Sequence, residues 1–188
     1  GIMKSGDLIG FSGYDLSGIG INIFSGGIPF YGISHIGIIA RYQGVLRLFE
    51  STTLCELPCL HQGKPVSGAQ IHDIQKRKNG YHGKVYHIKL KKKLTAIDAK
   101  SLSTYLLNDV GSPYDMLGAG ISGGWFLRKI KAYLRPQDLN NLFCSEWVAA
   151  GWNDVDVFHT GNASAWNPNS LYREARRRGI VKKKERIK

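Results

Sequence analysis

Three residue types in this chain could together do nucleophilic chemistry: a cysteine, a histidine and a carboxylate. Cys144 lies in Asn141-Leu142-Phe143-Cys144-Ser145-Glu146-Trp147. That stretch reads as the start of a short apolar helix over about Leu142–Ala150, capped by Asn140 or Asn141 and stopped by Gly151. Free amide N–H groups and the positive dipole end at a helix start favour a thiolate. The same amides would hold an oxyanion. With a base in reach and a carboxylate to orient that base, such a thiol can attack a carbonyl.

His35 and Glu50 fit the two remaining roles. They flank a hairpin pattern in which Ile36–Arg41 and Val45–Glu50 are β-rich runs separated by Tyr42-Gln43-Gly44. If Tyr42-Gln43 is the two-residue loop, His35 lies opposite Glu50; if Gln43-Gly44 is, Gly37 does. Both registers put His35 and Glu50 on one face, because side chains alternate along a strand. Glu50 can then accept from one imidazole nitrogen, fix the tautomer and leave the other nitrogen basic. Taken singly, each feature also has a plain reading. Phe143-Cys144 suits a buried thiol acting as a small hydrophobe, and His35 with Glu50 suits an edge histidine beside a solvated acid.

The positioning elements read as an antiparallel sheet followed by helices. Further strands are expected at Asp7–Phe11, Ala69–Ile74 and Lys84–Leu90. A helix opens at Thr95, with Asp98 three residues on approximating a capping box. Leu102, Tyr105, Leu106 and Val110 give it one apolar face, and Gly111 and Pro113 stop it. Shorter helices are expected at Trp125–Leu134, ending before Pro136, and at about Ser170–Arg178, stopped by Gly179. Gly-rich stretches at Ser17–Gly27 and Met116–Gly124 match no phosphate-binding pattern. The class is α+β, with helices mainly after the sheet.

Composition narrows the field further. The 188 residues are 43% hydrophobic and 21% charged, with 23 Gly and a formal net charge of +12, which excludes a largely disordered chain. Apolar runs such as Ile36–Ala40 are far short of the ~18–20 residues of a membrane span. The charge concentrates at the end: Arg173–Lys188 holds 9 basic and 2 acidic residues. The expected division is therefore a domain over 1–172 and a basic tail over 173–188. The tail reads as a solvated segment, or as a weak contact for nucleic acid or an anionic membrane. Three cysteines make no disulfide framework. With no signal-like start, they point to a reducing intracellular compartment. Cys55, Cys59 and His61 sit at a spacing that could bind a metal, with His72 as a candidate fourth ligand. Structural zinc sites prefer four ligands, so incidental thiols or a local disulfide are the competing readings, and no metal or cofactor is expected.

Five short motifs occur in the order of a known family. They are Gly6-Asp7-Leu8-Ile9, Ser34-His35-Ile36-Gly37-Ile38, Phe49-Glu50-Ser51, Gly111-Ser112-Pro113-Tyr114-Asp115 and Phe143-Cys144-Ser145-Glu146-Trp147-Val148. The chain resembles the circularly permuted, papain-like NlpC superfamily, in particular its YaeF/YiiX-like amidase group, and is more distantly similar to lecithin:retinol acyltransferase. His before Cys is the order of that permuted branch. The resemblance runs from Gly6 to about Tyr172. It implies a papain-like sheet or half-barrel facing a nucleophile helix, with Cys144 as nucleophile, His35 as base and Glu50 as orienting residue. It also implies that Tyr114 lines the substrate site and that Asp7 has a structural role. The implied activity is thiol-dependent cleavage of an amide or ester in a peptidoglycan-like peptide or a lipid, through a thioester, with acyl transfer as a variant. The connector Leu54–Gly68 departs in length from the family pattern and bears on specificity. The alternative from another class is a non-catalytic binding module on the same fold, anchored by the basic tail.

Overall fold

A computed structural model describes residues 2–13, 32–52, 55–112, 136–159 and 166–188, with only the backbone for 136–143. The elements in chain order are β1 (Leu8–Gly13), β2 (His35–Tyr42), β3 (Val45–Thr52), β4 (Gly68–His72) and α1 (Ile74–Gly80). They continue with β5 (Gly83–Ile88), α2 (Ala96–Asp109), α3 (Pro136–Asp154), α4 (Pro168–Arg177) and β6 (Glu185–Arg186). The strands form one sheet in the order β4-β3-β2-β1-β5-β6. Every pairing is antiparallel.

The expected hairpin forms, and its register is settled by the turn. Gln43 and Gly44 both have positive φ, 51° and 80°, which suits a tight turn matching the strand twist. Ile38 therefore faces Phe49 and Tyr42 faces Val45, so the Gln43-Gly44 register holds and Gly37 lies across from Glu50. On the other side of β3, Glu50 pairs with Gln70 of β4.

Both faces of the sheet are covered. Leu8, Ile36, Ile38, Phe49, Ile71 and Ile88 pack against Leu102, Leu106, Trp147, Val148, Trp152 and Leu171 of the three longer helices. The opposite face carries Ile9, Phe11, Ile39, Leu48 and Val85, closed by Ile74 of α1. Alternation thus splits β2 and β3 between an apolar helix side and a second side where polar groups also gather. The Thr95 capping box forms, with Asp98 as its reciprocal partner. A second box, Asn167 with Ser170, opens α4.

Three expectations are corrected. The strand read as Ala69–Ile74 ends at His72, because Asp73 accepts from the Gln75 and Lys76 amides and starts α1. The nucleophile helix does not begin near Leu142: α3 starts at Pro136. Proline suits a first helical position, where its missing N–H would lack a partner anyway. The basic C-terminal segment is not a free tail. Residues 173–177 belong to α4, Val181 bridges Leu90, and Arg186 pairs with Tyr86. Ala175 and Val181 are fully buried between the charged positions, so apolar spacing folds the segment onto the sheet edge. The expected helix at Trp125–Leu134 and both Gly-rich stretches lie outside the described residues.

Gly37 is the position where the hairpin tolerates least. A Cβ there would lie 2.7 Å from Leu48 Cδ1, 2.9 Å from the Phe49 carbonyl oxygen and 3.1 Å from Glu50 Cβ. Gly37→Ala is predicted to destabilise the fold by about 1–3 kcal/mol through overpacking, read from urea unfolding. A midpoint equal to that of the parent would contradict the tight β2–β3 contact.

Candidate active site

The site is built around one buried carboxylate. Glu50, within β3, has no exposed surface. An ionised carboxylate removed from water costs several kcal/mol unless donors surround it. Here they do. His35 Nε2 lies 2.6 Å from Oε2, His72 Nδ1 lies 2.7 Å from Oε1, and Arg77 reaches Oε1 through Nε at 2.7 Å and Oε2 through Nη2 at 3.2 Å. Burial pushes the Glu50 carboxyl up, but the Arg77 guanidinium and the two histidines outweigh it and hold it well below the usual carboxylate range. An ionised carboxylate only accepts, so both imidazoles present an N–H to it.

Three strands and a helix deliver these groups. His35 opens β2, Glu50 sits in β3, His72 closes β4 and Arg77 comes from α1. Strand pairing puts His72 across from Leu48, on the face that also carries Glu50. Ile74 and Arg77 are three residues apart in α1 and both are buried, whereas Lys76 is exposed. Arg77 is thus the buried member of the basic triplet Lys76-Arg77-Lys78. The Arg77 guanidinium stacks 4.8 Å from the Phe11 ring centroid and 5.4 Å from that of Tyr81.

Cys144 completes a line of contacts. It packs without exposure in the helix-side cluster, and its thiol shares a side-chain hydrogen bond with His35. Because Nε2 of His35 is taken by Glu50, the nitrogen left for sulfur is Nδ1. Burial lowers the tendency of His35 to hold a proton, yet Cys144 and Glu50 prevail and raise its pKa to about 9. The predicted residues Cys144, His35 and Glu50 are thus brought together. The predicted reason for thiol activation is not. Cys144 lies about two turns inside α3, where dipole effects have faded and helical N–H groups are already paired. The expected oxyanion donors at a helix start are absent from its position. Tyr114 falls outside the described residues.

Neighbouring groups fix α3 in place. Trp147 Nε1 donates to Asp109 of α2 at 2.9 Å, and its ring lies 6.5 Å from Phe49. Ser145 donates to the Trp166 carbonyl. Glu146 is buried, and neither carboxylate oxygen has a hydrogen-bond partner among the described residues. Burial pushes it up to about 7. Asp7 has the structural setting expected of it: buried, it accepts from His87 Nε2 at 2.8 Å and from the amides of Lys4 and Leu90.

Sequence reasoning missed His72 and Arg77 as partners of Glu50. His72 Nε2 points to the Leu57 carbonyl at 3.3 Å and lies 3.8 Å from Cys55 Sγ. Burial opposes its charge, but Cys55 and Glu50 raise it to about 10. A second cysteine–histidine pair therefore shares the same carboxylate. Asp73, a capping residue before Ile74 and Arg77, was the local signal that Arg77 turns inward. None of the three cysteines is in a disulfide. The Cys55, Cys59 and His61 set does not assemble: Cys59 Sγ accepts from the Ile71 amide, and His61 meets Tyr42. Among the described residues the cluster with metal-like spacing is instead Glu50, Cys55 and His72.

No family model matches the chain, and no curated protein matches it. A solved structure does. The crystal structure of metalloprotein YiiX from Escherichia coli O157:H7, DUF1105, superposes with a TM-score of 0.50 at 17% identity. The likeness is one of fold. It covers 81% of this chain and 66% of that one, so this chain spans slightly less than two thirds of YiiX.

The pH dependence of the network has a definite sign. Both imidazoles are raised above 6.5, so their stabilisation is complete below that pH and is lost as pH rises through about 9 and about 10. Glu50 is lowered, so its stabilisation is present above pH 4.5 and is lost in acid. Glu50→Gln is predicted to cost about 3–5 kcal/mol at pH 6, as expected when one member of a buried charged set is removed. The cost should be clearly smaller near pH 10.5, where the imidazoles are neutral. Urea titrations of parent and variant at both pH values measure this; equal losses would contradict the network.

Proposed function

We propose that the chain is a cysteine-dependent hydrolase acting on an amide or ester bond, with Cys144 as nucleophile, His35 as general base and acid, and Glu50 as the orienting carboxylate. The observation that carries this reading is the position of His35, with one ring nitrogen on Glu50 at 2.6 Å and the thiol of Cys144 on the other side. That is the arrangement a thiol nucleophile requires: a base in contact and a third group that fixes its tautomer. The His35 side chain is 12% exposed, which makes it the edge of the trio that meets solvent. The order of the residues, His before Cys, fits the permuted papain-like pattern that the sequence resembles.

The steps follow from these contacts. His35, which holds a proton below about pH 9, shares it with the Cys144 sulfur through Nδ1, and that sulfur attacks the substrate carbonyl carbon. The imidazolium, stabilised by Glu50, then gives that proton to the departing amine or alkoxide, and a thioester remains on Cys144. His35 next takes a proton from water, hydroxide displaces the acyl group as a carboxylate, and the thiol is restored. An acceptor alcohol or amine in place of water gives acyl transfer with the same residues. The resemblance points to a peptidoglycan-like peptide or a lipid as substrate, and to Tyr114 as a residue lining its site.

YiiX is described as a metalloprotein, and the Glu50–Cys55–His72 cluster is where a cation would be sought here. The residues do not fit one at Glu50. Both carboxylate oxygens already receive Arg77, and each also receives an imidazole N–H. A divalent cation would be forced against the guanidinium. The rival reading, a binding module held by its basic end, rests on charge alone. Removing 173–188 would also remove the buried Ala175 and Val181, so charge-reversing substitutions at exposed Lys182 and Lys183 are the proper probe of it.

Cys144→Ala is predicted to retain the fold and to abolish turnover of a panel of amide and ester substrates. The parent should show an acyl adduct on Cys144 in intact and peptide mass spectra. Turnover surviving in Cys144→Ala, or lost only in the Lys182 and Lys183 variants, would overturn the assignment.

A further inference from the structure

We infer that Arg77 is a positioning residue for this site: by donating to both oxygens of Glu50 from α1, it sets the carboxylate in the one orientation that lets Oε2 hold His35 against Cys144. Only the consequence for catalysis rests on the hydrolase reading; the geometry stands apart from it.

The argument starts from what Glu50 must satisfy. Its two oxygens serve two histidines on different strands, so the carboxylate plane has to be fixed about an axis that neither imidazole controls alone. A single donor to each oxygen would leave the group free to rotate. The guanidinium is planar, with paired N–H donors in a rigid fork, and can grip both oxygens at once. It does so through Nε at 2.7 Å and Nη2 at 3.2 Å. Arg77 is itself held: it is 8% exposed, and its guanidinium faces the rings of Phe11 and Tyr81. Phe11 in turn packs 5.4 Å from the His35 ring.

A second feature separates this role from plain ion pairing. The charged groups facing Glu50 are His35 from β2, His72 from β4 and Arg77 from α1, with Cys144 beyond His35 and Cys55 beyond His72. Arg77 is the one cation among them that keeps its charge when pH passes the points, about 9 and about 10, at which the imidazoles lose theirs. It therefore keeps Glu50 ionised when either imidazole loses its proton, as the base must do during a reaction cycle. A site held only by the two histidines would loosen at each such step.

The test is an NMR titration of the His35 imidazole in the full chain, with thermal unfolding recorded in parallel. In Arg77→Met, which keeps a stem against Phe11 but removes the fork, the His35 midpoint is expected to fall from about 9 by about one unit or more. Arg77→Lys should recover part of that loss. A merely structural arginine would lower the unfolding temperature and leave the His35 midpoint in place, and that result would overturn the inference. Should Arg77→Met fail to fold, the double variant Arg77→Met with Glu50→Gln removes the buried carboxylate together with its guanidinium. Its His35 midpoint is expected to equal that of Glu50→Gln alone. A further fall of half a unit or more would show Arg77 acting on His35 without Glu50, and would also overturn the inference. The titration needs no substrate, so an inactive Cys144 would remove the hydrolase reading and leave this outcome unaffected.

Discussion

A single negative charge buried in a strand sets the terms for the rest of this structure. Glu50 is surrounded on every side: Gly37 leaves room on β2, Gln70 flanks it on β4, and three donors converge on its oxygens. Without those donors the carboxylate would take up a proton or open the sheet to water. With them, two histidines from separate strands are held as donors to one acceptor, and each turns its other nitrogen toward a thiol. The organisation is a relay centred on an acid: Cys144, His35, Glu50, His72 and Cys55 in spatial order, with Arg77 closing the side.

The sheet and helices make that relay possible by dividing labour between the two faces. Apolar residues of β1, β2, β3 and β5 meet α2, α3 and α4 on one side, and this packing supplies most of the stabilisation that offsets burying charge. The other side is closed by α1, whose seven residues bring Ile74 to the small cluster and Arg77 to Glu50. Cys144 belongs to the helix side and His35 opens β2, so the two meet at the strand end. The C-terminal segment adds β6 and extends the edge beside β5, which turns an apparent tail into part of the scaffold.

Much of this was legible in the sequence, for reasons that can be named. The shared face of His35 and Glu50 follows from strand alternation in either hairpin register, so it did not depend on choosing the right turn. The Thr95 and Asp98 pair announced α2 because a capping box uses residue types in a fixed spacing. Less legible were features decided by long-range packing. The start of α3 at Pro136 is not legible, because proline signals a helix stop as well as a first turn. That ambiguity carries the helix-dipole account of Cys144 with it. Arg77 was hidden inside a basic run, where exposure is the normal expectation; only the buried acid it answers makes its inward position sensible. His72 reads from sequence as a metal ligand because its chemistry is visible there, whereas its partner Glu50 lies on the preceding strand, 22 residues away.

The most direct test of the central claim, that Cys144 is a thiol activated by a histidine which Glu50 orients, is the alkylation rate of each cysteine against pH. Peptide mass spectrometry resolves Cys55, Cys59 and Cys144 in one sample, in the parent and in His35→Ala. An ordinary thiol is only about 3% thiolate at pH 7, which sets the baseline. The account predicts that Cys144 reacts faster than that baseline at neutral pH, and that His35→Ala removes the advantage while the other two thiols are unchanged. A Cys144 that reacts no faster than Cys59, or whose rate is indifferent to His35, would contradict it.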